Sequence, residues 1–310
     1  MNYFPYYYNM KILQAGKFYP ITGGVEKVEY DLMTGLSERG IDCDMLCAAQ
    51  EGHRGDVQVN EHGRVLVCNT MTKAAGTMIS PDMILRLRKI CSEYDVIHVH
   101  HPDPMAALAL LLSGYKGRVI VHWHSDIVRQ QLALKLFMPL QNWLLKRAEK
   151  VVGTTPIYLK ESPHLQHVQH KTVCLPIGID PVEPASLEKV EALKQQYGGR
   201  KMVFSLGRLV PYKGFRYLIE AAQYLNDDTV VLIGGKGPLM EELAALIEQL
   251  GVQNKVKLLG RVSDEDLPVY YTACSLFCMS SVQKSEAFGI VNIEAMSIYI
   301  KYMTCIVSSL

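Results

Sequence analysis

Residues 11–48 read KILQAGKFYPITGGVEKVEYDLMTGLSERGIDCDMLCA, and their punctuation decides the fold class. A short apolar run at 11–15 has the character of a strand. A loop carrying Gly16, Gly23 and Gly24 follows, then 25–39 shows the apolar spacing of a helix, closed by Gly40. A second strand begins at once, at 41–48. The alternation continues with strands at 64–68, 96–99 and 118–122 and helices at 81–91 and 105–112. Continuous Val and Ile runs between helices specify a parallel sheet covered on both faces. The pattern breaks at 180–184 into proline and acidic residues. A helical stretch at 187–197 and a Gly-Gly-Arg turn follow, and then the plan starts again with strands at 202–206, 229–233, 256–259 and 276–279. Helices at 215–224, 239–250 and 264–271 separate them. The chain therefore reads as α/β, with two Rossmann-like domains in tandem that face each other. An extension, 1–9, conforms to neither; the first domain is 10–180, the linker region 181–200 and the second domain 201–310.

The composition agrees. The chain has 310 residues, of which 49% are apolar, with 32 basic and 31 acidic side chains, so disordered and collagen-like classes are excluded. Charge is nearly balanced in both halves, which argues against a nucleic-acid partner. None of the eight cysteines forms a C-x-x-C pair, and they are expected to be reduced core thiols, with Cys43 and Cys47 on one buried face of their strand. The longest apolar run, 105–112, falls far short of the roughly 20 residues needed to cross a bilayer. Residues 1–9 are tyrosine-rich and lack the basic and apolar regions of a secretory leader, so a cytoplasmic protein starting at Met10 is expected. N-terminal mass analysis of the native protein would test that start.

Parallel α/β sheets bind ligands beyond the carboxyl ends of their strands, so residues just after strands carry the information. Gly16, Gly23 and Gly24 stand where backbone NH groups can meet an anion at a helix N-terminus, or where a plain turn needs glycine. His98, His100 and His101 end one strand; His122, His124 and Asp126 end the next. These residue types suit a catalytic or substrate-orienting histidine, strand packing or a metal site, although no further feature supplies a ligand shell. Arg208 and Lys213, in the loop 207–214, offer a forked donor and a point charge that suit a diphosphate, or else a solvated basic pair. Gly235 and Gly237 follow another strand, where glycine lets a nucleotide approach the backbone. Glu286 and Glu294, one in a loop and one expected to open a helix, are spaced to accept hydroxyl hydrogen bonds from a polyol-rich ligand, or are surface carboxylates.

Together, Gly23-Gly24, His124-Ser125-Asp126, Arg208 with Lys213, Gly235-x-Gly237-Pro238 and the Glu286 to Glu294 pair resemble the retaining family 4 glycosyltransferases of the GT-B fold. The resemblance spans about 11–296. The stretch from His122 to Val128 is similar to GDP-mannose-dependent mannosyltransferases of bacterial O-antigen and exopolysaccharide assembly. It implies transfer of a hexose, with mannose favoured, from a nucleotide-sugar to a saccharide or polyprenyl-diphosphate-linked acceptor, with retention of configuration. It implies that Arg208 and Lys213 hold the donor diphosphate and relieve the leaving nucleotide's charge. Glu286 would bond the transferred sugar, Glu294 the ribose, the Gly24 backbone the diphosphate, and His124 the sugar or acceptor; the glycines of the 234–238 loop belong to the nucleotide site. The departing phosphate takes the acceptor's proton, so no protein nucleophile, cofactor or essential metal is expected. A lipid-linked acceptor would draw the protein to the inner face of the cytoplasmic membrane through 129–150, where Leu132, Leu136, Phe137, Leu140, Trp143 and Leu144 recur at helical spacing among basic residues; core packing explains that stripe equally well.

The chain departs from the family pattern after Met296, where a glycine and proline turn, a valine-rich strand and a crossover helix are expected, so the second domain reads as truncated. Two other classes fit the residues: an inactive nucleotide-sugar-binding remnant, and an epimerase of the same architecture that releases an altered sugar without an acceptor.

Overall fold

The computed structural model describes residues 10–21, 23–50, 55–74, 76–127, 131–283, 288–298 and 302–304. The chain divides into two compact units, Met1–Ile177 and Gly178–Leu310. The first runs β1 (Ile12–Tyr19), α1 (Gly24–Ser37), β2 (Cys43–Ala49), β3 (Val57–Asn60), β4 (Gly63–Cys68), β5 (Thr72–Ala74), β6 (Thr77–Ile79), α2 (Pro81–Ile90), β7 (Val96–His101), α3 (Pro104–Ser113), β8 (Arg118–Trp123), α4 (Gln131–Arg147), β9 (Lys150–Gly153), α5 (Pro156–Glu161) and β10 (Thr172–Cys174). Its main sheet has the order β10-β9-β8-β7-β1-β2-β4-β3, parallel except for β3, which pairs antiparallel with β4 at the edge. β5 and β6 form a separate hairpin.

The second unit runs α6 (Leu187–Gln196), β11 (Lys201–Leu206), α7 (Phe215–Ala221), β12 (Thr229–Gly234), α8 (Met240–Gln249), β13 (Val256–Gly260), α9 (Leu267–Ala273), β14 (Leu276–Met279), α10 (Ile290–Ser297) and β15 (Tyr302–Thr304). Its parallel sheet has the order β13-β12-β11-β14-β15. Alternation along the strands builds one core on each face. Met202, Phe204, Val230 and Leu232 pack with Tyr271 and Phe277 on one side. Val231 and Ile233 pack with Phe215, Ile219 and Leu243 on the other. Each such buried side chain contributes about 1.5–3 kcal/mol of transfer free energy, which makes both layers necessary to the sheet. α6, within the stretch read as a linker, buries Val190 and Leu193 in the first of these cores.

Cys43 and Cys47 are buried in β2 and, like five of the remaining cysteines, are free thiols. On α4, Phe137, Leu144 and Leu145 turn inward, while Leu136 is 83% exposed. Core packing therefore accounts for Phe137 and Leu144 of that apolar stripe and leaves Leu136 facing outward. Among the described residues no helix is long and apolar enough to cross a membrane.

Candidate functional site

In the second sheet the chain leaves β11 for β12 and β13 on one side, then returns to β14 and β15 on the other. Loops leaving β11 and β14 in opposite directions open a crevice at their carboxyl ends, the usual ligand position in such sheets. The Arg208 and Lys213 loop follows β11. It is tied to the loop after β14 by Ser280 Oγ, which donates to the Lys213 carbonyl at 2.8 Å, and by Val282 NH, which donates to the Tyr212 carbonyl at 2.8 Å. Deeper, Ser205 Oγ donates to the Cys278 carbonyl at 2.6 Å, fastening the two strands beneath the crevice. The Arg208 side chain is exposed and has no partner among the described residues. Lys213 lies back over the Gly207 backbone, its Cε 3.3 Å from where a Cβ on Gly207 would sit.

Gly235 and Gly237 stand beside this loop, and their glycine character has a packing cause. A Cβ on either would strike the backbone of Gly207 or Leu209. Gly207 NH donates to the Gly234 carbonyl and Leu209 NH to the Lys236 carbonyl, both at 3.0 Å. The close approach that glycine allows here is of one strand-end loop to the other.

Glu294 lies one turn inside α10 and does not open it, because the helix starts at Ile290 behind a left-handed Gly289 (φ 74°). One carboxylate oxygen accepts from the Tyr271 hydroxyl at 2.9 Å. Burial and this carboxylate hold the Tyr271 phenol well above its ordinary range. Glu286 lies outside the described residues.

The first sheet has its own reversal, between β1 and β7. Strand pairing places His100 opposite His122 and Gln14 opposite His98. His98, His100, His122 and His124 therefore stack as one group, with ring centroids 4.1–5.4 Å apart. On the other face His101 lies against Trp123 at 3.7 Å. All five imidazoles are buried and held neutral. Burial pushes His98 down to about 3 and His122 down to about 4. His100, His101 and His124 are also driven well below the ordinary value, by burial first and then by repulsion from neighbouring imidazoles, were they protonated, and from Lys17. His100 bonds on both sides, Nδ1 to His124 Nε2 at 2.9 Å and Nε2 to Gln14 Oε1 at 2.8 Å.

His98, His100 and His122 place ligating nitrogens within 4.8 Å of one another. With both nitrogens of His100 engaged, two free imidazoles and no carboxylate in the group fall short of the three or four ligands a zinc ion takes. Asp126 serves the loop: Oδ1 accepts from Trp123 Nε1 and Ser162 Oγ, each at 2.8 Å. Gly23 caps α1, and the Glu26 carboxylate folds over it, filling the space a Cβ would need. That carboxylate sits in the first turn of the helix, where the dipole favours it.

Several polar groups here had gone unread in the sequence. Lys17, left-handed at φ 50°, donates its NH to Asp103, which also caps α3 through Ala106 NH at 3.0 Å. Glu29 is fully buried with neither oxygen partnered among the described residues, and burial, with Asp103 next in effect, raises its pKa well above the usual range. The signal for Gln14 was a lone amide inside an apolar strand. A cavity of about 580 Å³ lined by Lys146, Lys171, His164, His167 and His170, beside α4, includes none of the donor-site or histidine residues picked out in the sequence.

Comparison with known proteins accords with these two sheets. Residues 22–183 match the family model described as Glycosyltransferase Family 4, and 188–303 match Glycosyl transferases group 1. O-antigen chain mannosyltransferase C of Escherichia coli is 33% identical over 288 residues, 92% of this chain and 76% of the relative. D-rhamnosyltransferase WbpZ of Pseudomonas aeruginosa is 32% identical over 290 residues, 92% and 74% of the two chains. Among solved structures, Anabaena HepE in complex with UDP and glucose superposes with a TM-score of 0.74 at 21% identity, covering 94% of this chain and 80% of that one. Sucrose-phosphate synthase from Thermosynechococcus elongatus gives 0.76 at 18% identity, covering 96% and 82%. With two Rossmann-like units, matches to both family models and a likeness above 30% over 92% of its residues, the chain belongs to the family 4 glycosyltransferases of the GT-B fold.

Proposed function

We propose that this glycosyltransferase moves mannose from GDP-mannose to a saccharide or polyprenyl-diphosphate-linked acceptor of bacterial surface polysaccharide, with retention of anomeric configuration. The observation that carries this reading is the 33% identity to an O-antigen chain mannosyltransferase over 92% of the chain. The exposed Arg208 at the strand reversal of the second sheet supports it. Arg208 and Lys213 grip the donor diphosphate and offset the negative charge that grows on the nucleotide as the glycosidic bond breaks. Glu286 bonds hydroxyls of the sugar. Glu294, one oxygen of which accepts from Tyr271, bonds the ribose. Gly23 and Gly24 bring backbone NH groups towards the diphosphate, Gly235 and Gly237 shape the loop beneath the nucleotide, and His124 accepts a hydroxyl of the sugar or acceptor. The leaving phosphate takes the acceptor's proton, so the reaction needs neither a protein nucleophile nor a metal. A lipid-linked acceptor draws the protein to the inner membrane surface, where exposed Leu136 on α4 is the first contact.

The test is release of nucleotide from GDP-mannose and UDP-glucose, in EDTA, with membrane extracts or oligosaccharides as acceptor, and NMR of the product anomer. GDP released with an acceptor, and an α-linked product, is the expected result. Preference for UDP-glucose overturns the donor, inversion overturns the stereochemistry, and loss in EDTA with rescue by a divalent ion overturns metal independence. Arg208→Ala should weaken GDP binding by roughly 10–150-fold, the worth of about 1.5–3 kcal/mol in a charge-assisted bond.

A further inference from the structure

We infer that Gln14 and His100 are positioning residues that fix the tautomer of His124, so that its outward nitrogen, Nδ1, is a hydrogen-bond acceptor. The inference rests on the proposed role of His124 only for what that nitrogen meets.

The relay starts at Gln14. Its amide nitrogen donates to Cys43 Sγ at 3.6 Å, which turns the carbonyl oxygen towards His100. That oxygen has no hydrogen to give, so at 2.8 Å His100 Nε2 must be the donor. A neutral imidazole carries one hydrogen, so His100 Nδ1 is left as an acceptor. It faces His124 Nε2 at 2.9 Å, and two lone pairs cannot meet at that distance, so His124 Nε2 carries the hydrogen. The remaining nitrogen of His124, Nδ1, therefore holds a free lone pair.

Burial enforces this polarity. Gln14 is 1% exposed and His100 0%, so no water replaces a missing partner. His124 keeps 6% of its surface, and its Nδ1 is not among the sealed, unpartnered nitrogens that include both of His122 and Nε2 of His98. The relay thus runs from inside the sheet to its carboxyl edge and presents one acceptor there. An acceptor selects a hydroxyl and rejects a bare phosphate oxygen, because two lone pairs repel. His124 so oriented takes a sugar or acceptor hydroxyl and leaves the diphosphate to other groups.

The experiment is nitrogen NMR of the full chain labelled with ¹⁵N-histidine, the His124 signals assigned by their loss in His124→Gln. The expected wild-type spectrum shows His124 protonated at Nε2 and bare at Nδ1. In Gln14→Met, close in volume but lacking the carbonyl, the tautomer should no longer be fixed and the bare-Nδ1 signal should lose intensity. Protonation at Nδ1 in wild type overturns the inference, as does an unaltered tautomer in folded Gln14→Met. Where that variant does not fold, the wild-type spectrum alone decides. Addition of GDP-mannose, and separately of acceptor, reads the other question: a shift of His124 Nδ1 upholds its role in binding, and no shift removes that role while the relay stands.

Discussion

Replacing Gly235 by alanine should cost about 2.5–7.5 kcal/mol of stability. The backbone there has φ 132°, a region that side chains rarely adopt, worth about 1–3 kcal/mol of strain. The new Cβ would sit 1.9 Å from the Gly207 carbonyl oxygen, so one loop must move. Overpacking of that kind costs about 1–3 kcal/mol. Movement is resisted by the bonds from Gly207 NH and Leu209 NH, each 3.0 Å long, and loss of one adds about 0.5–1.5 kcal/mol. Gly251→Ala is the control, with φ 66° and no atom within 4 Å, and should cost only about 1–2 kcal/mol. Urea unfolding followed by far-ultraviolet circular dichroism reads both variants, with hydrogen exchange in β11 and β12 to localise the loss. Tryptophan fluorescence would report on the other unit, because Trp123 and Trp143 both lie in the first. A Gly235→Ala protein within about 0.5 kcal/mol of the Gly251→Ala control would refute the loop-packing account. Lost nucleotide binding at unchanged stability would assign the glycine to ligand approach instead.

Three further outcomes follow from buried polar groups. Because the folded pKa of Glu29 is raised, its stability contribution is present below the unfolded value near 4.3 and declines as pH rises. Glu29→Gln should thus gain on wild type by up to about 1.4 kcal/mol per pH unit between pH 5 and 7, and urea midpoints showing a constant difference would contradict this. The histidine group acts in the opposite sense. With His122 at about 4 and His98 at about 3 when folded, the unfolded chain protonates first, and stability falls as pH drops from about 6.5 towards 4. His122→Phe should flatten that acid limb by one proton, and an unchanged slope would show that the ring is charged or solvated when folded. Tyr271→Phe should cost about 1.5–3 kcal/mol by removing the donor to Glu294, measured by urea unfolding, and a loss under 0.5 kcal/mol would mean the bond contributes nothing.

The repeated strand and helix plan was legible because its strands are long apolar runs bounded by glycine. β3, β5, β6, β9, β10 and β15 were missed because runs of three or four residues carry no readable period. Strand ends pointed correctly to the crests of both sheets, since a loop after a parallel strand has nowhere else to go. What the glycines there accommodate could not be read. Gly235 looks the same in sequence whether a nucleotide or another loop fills the missing Cβ, and only the tertiary structure puts Gly207 there. Glu29 was passed over for a related reason: a carboxyl on the buried face of α1 follows no hydrophobic pattern.

The two sheets solve one problem in the same way. A crevice at a strand reversal is open, so side chains that line it are free to wander unless something behind them is fixed. In the second unit the fixing comes from Ser205 and Ser280, buried hydroxyls that join β11 to β14 and the two loops above them. In the first it comes from Gln14 and His100, a buried amide and imidazole that span β1, β7 and the end of β8. Such groups cost free energy to bury and return it only when every partner is present. A residue that touches no ligand can therefore govern the crest, and substitutions at Ser280 or Gln14 should disturb Lys213 and His124 more than their distance from solvent suggests.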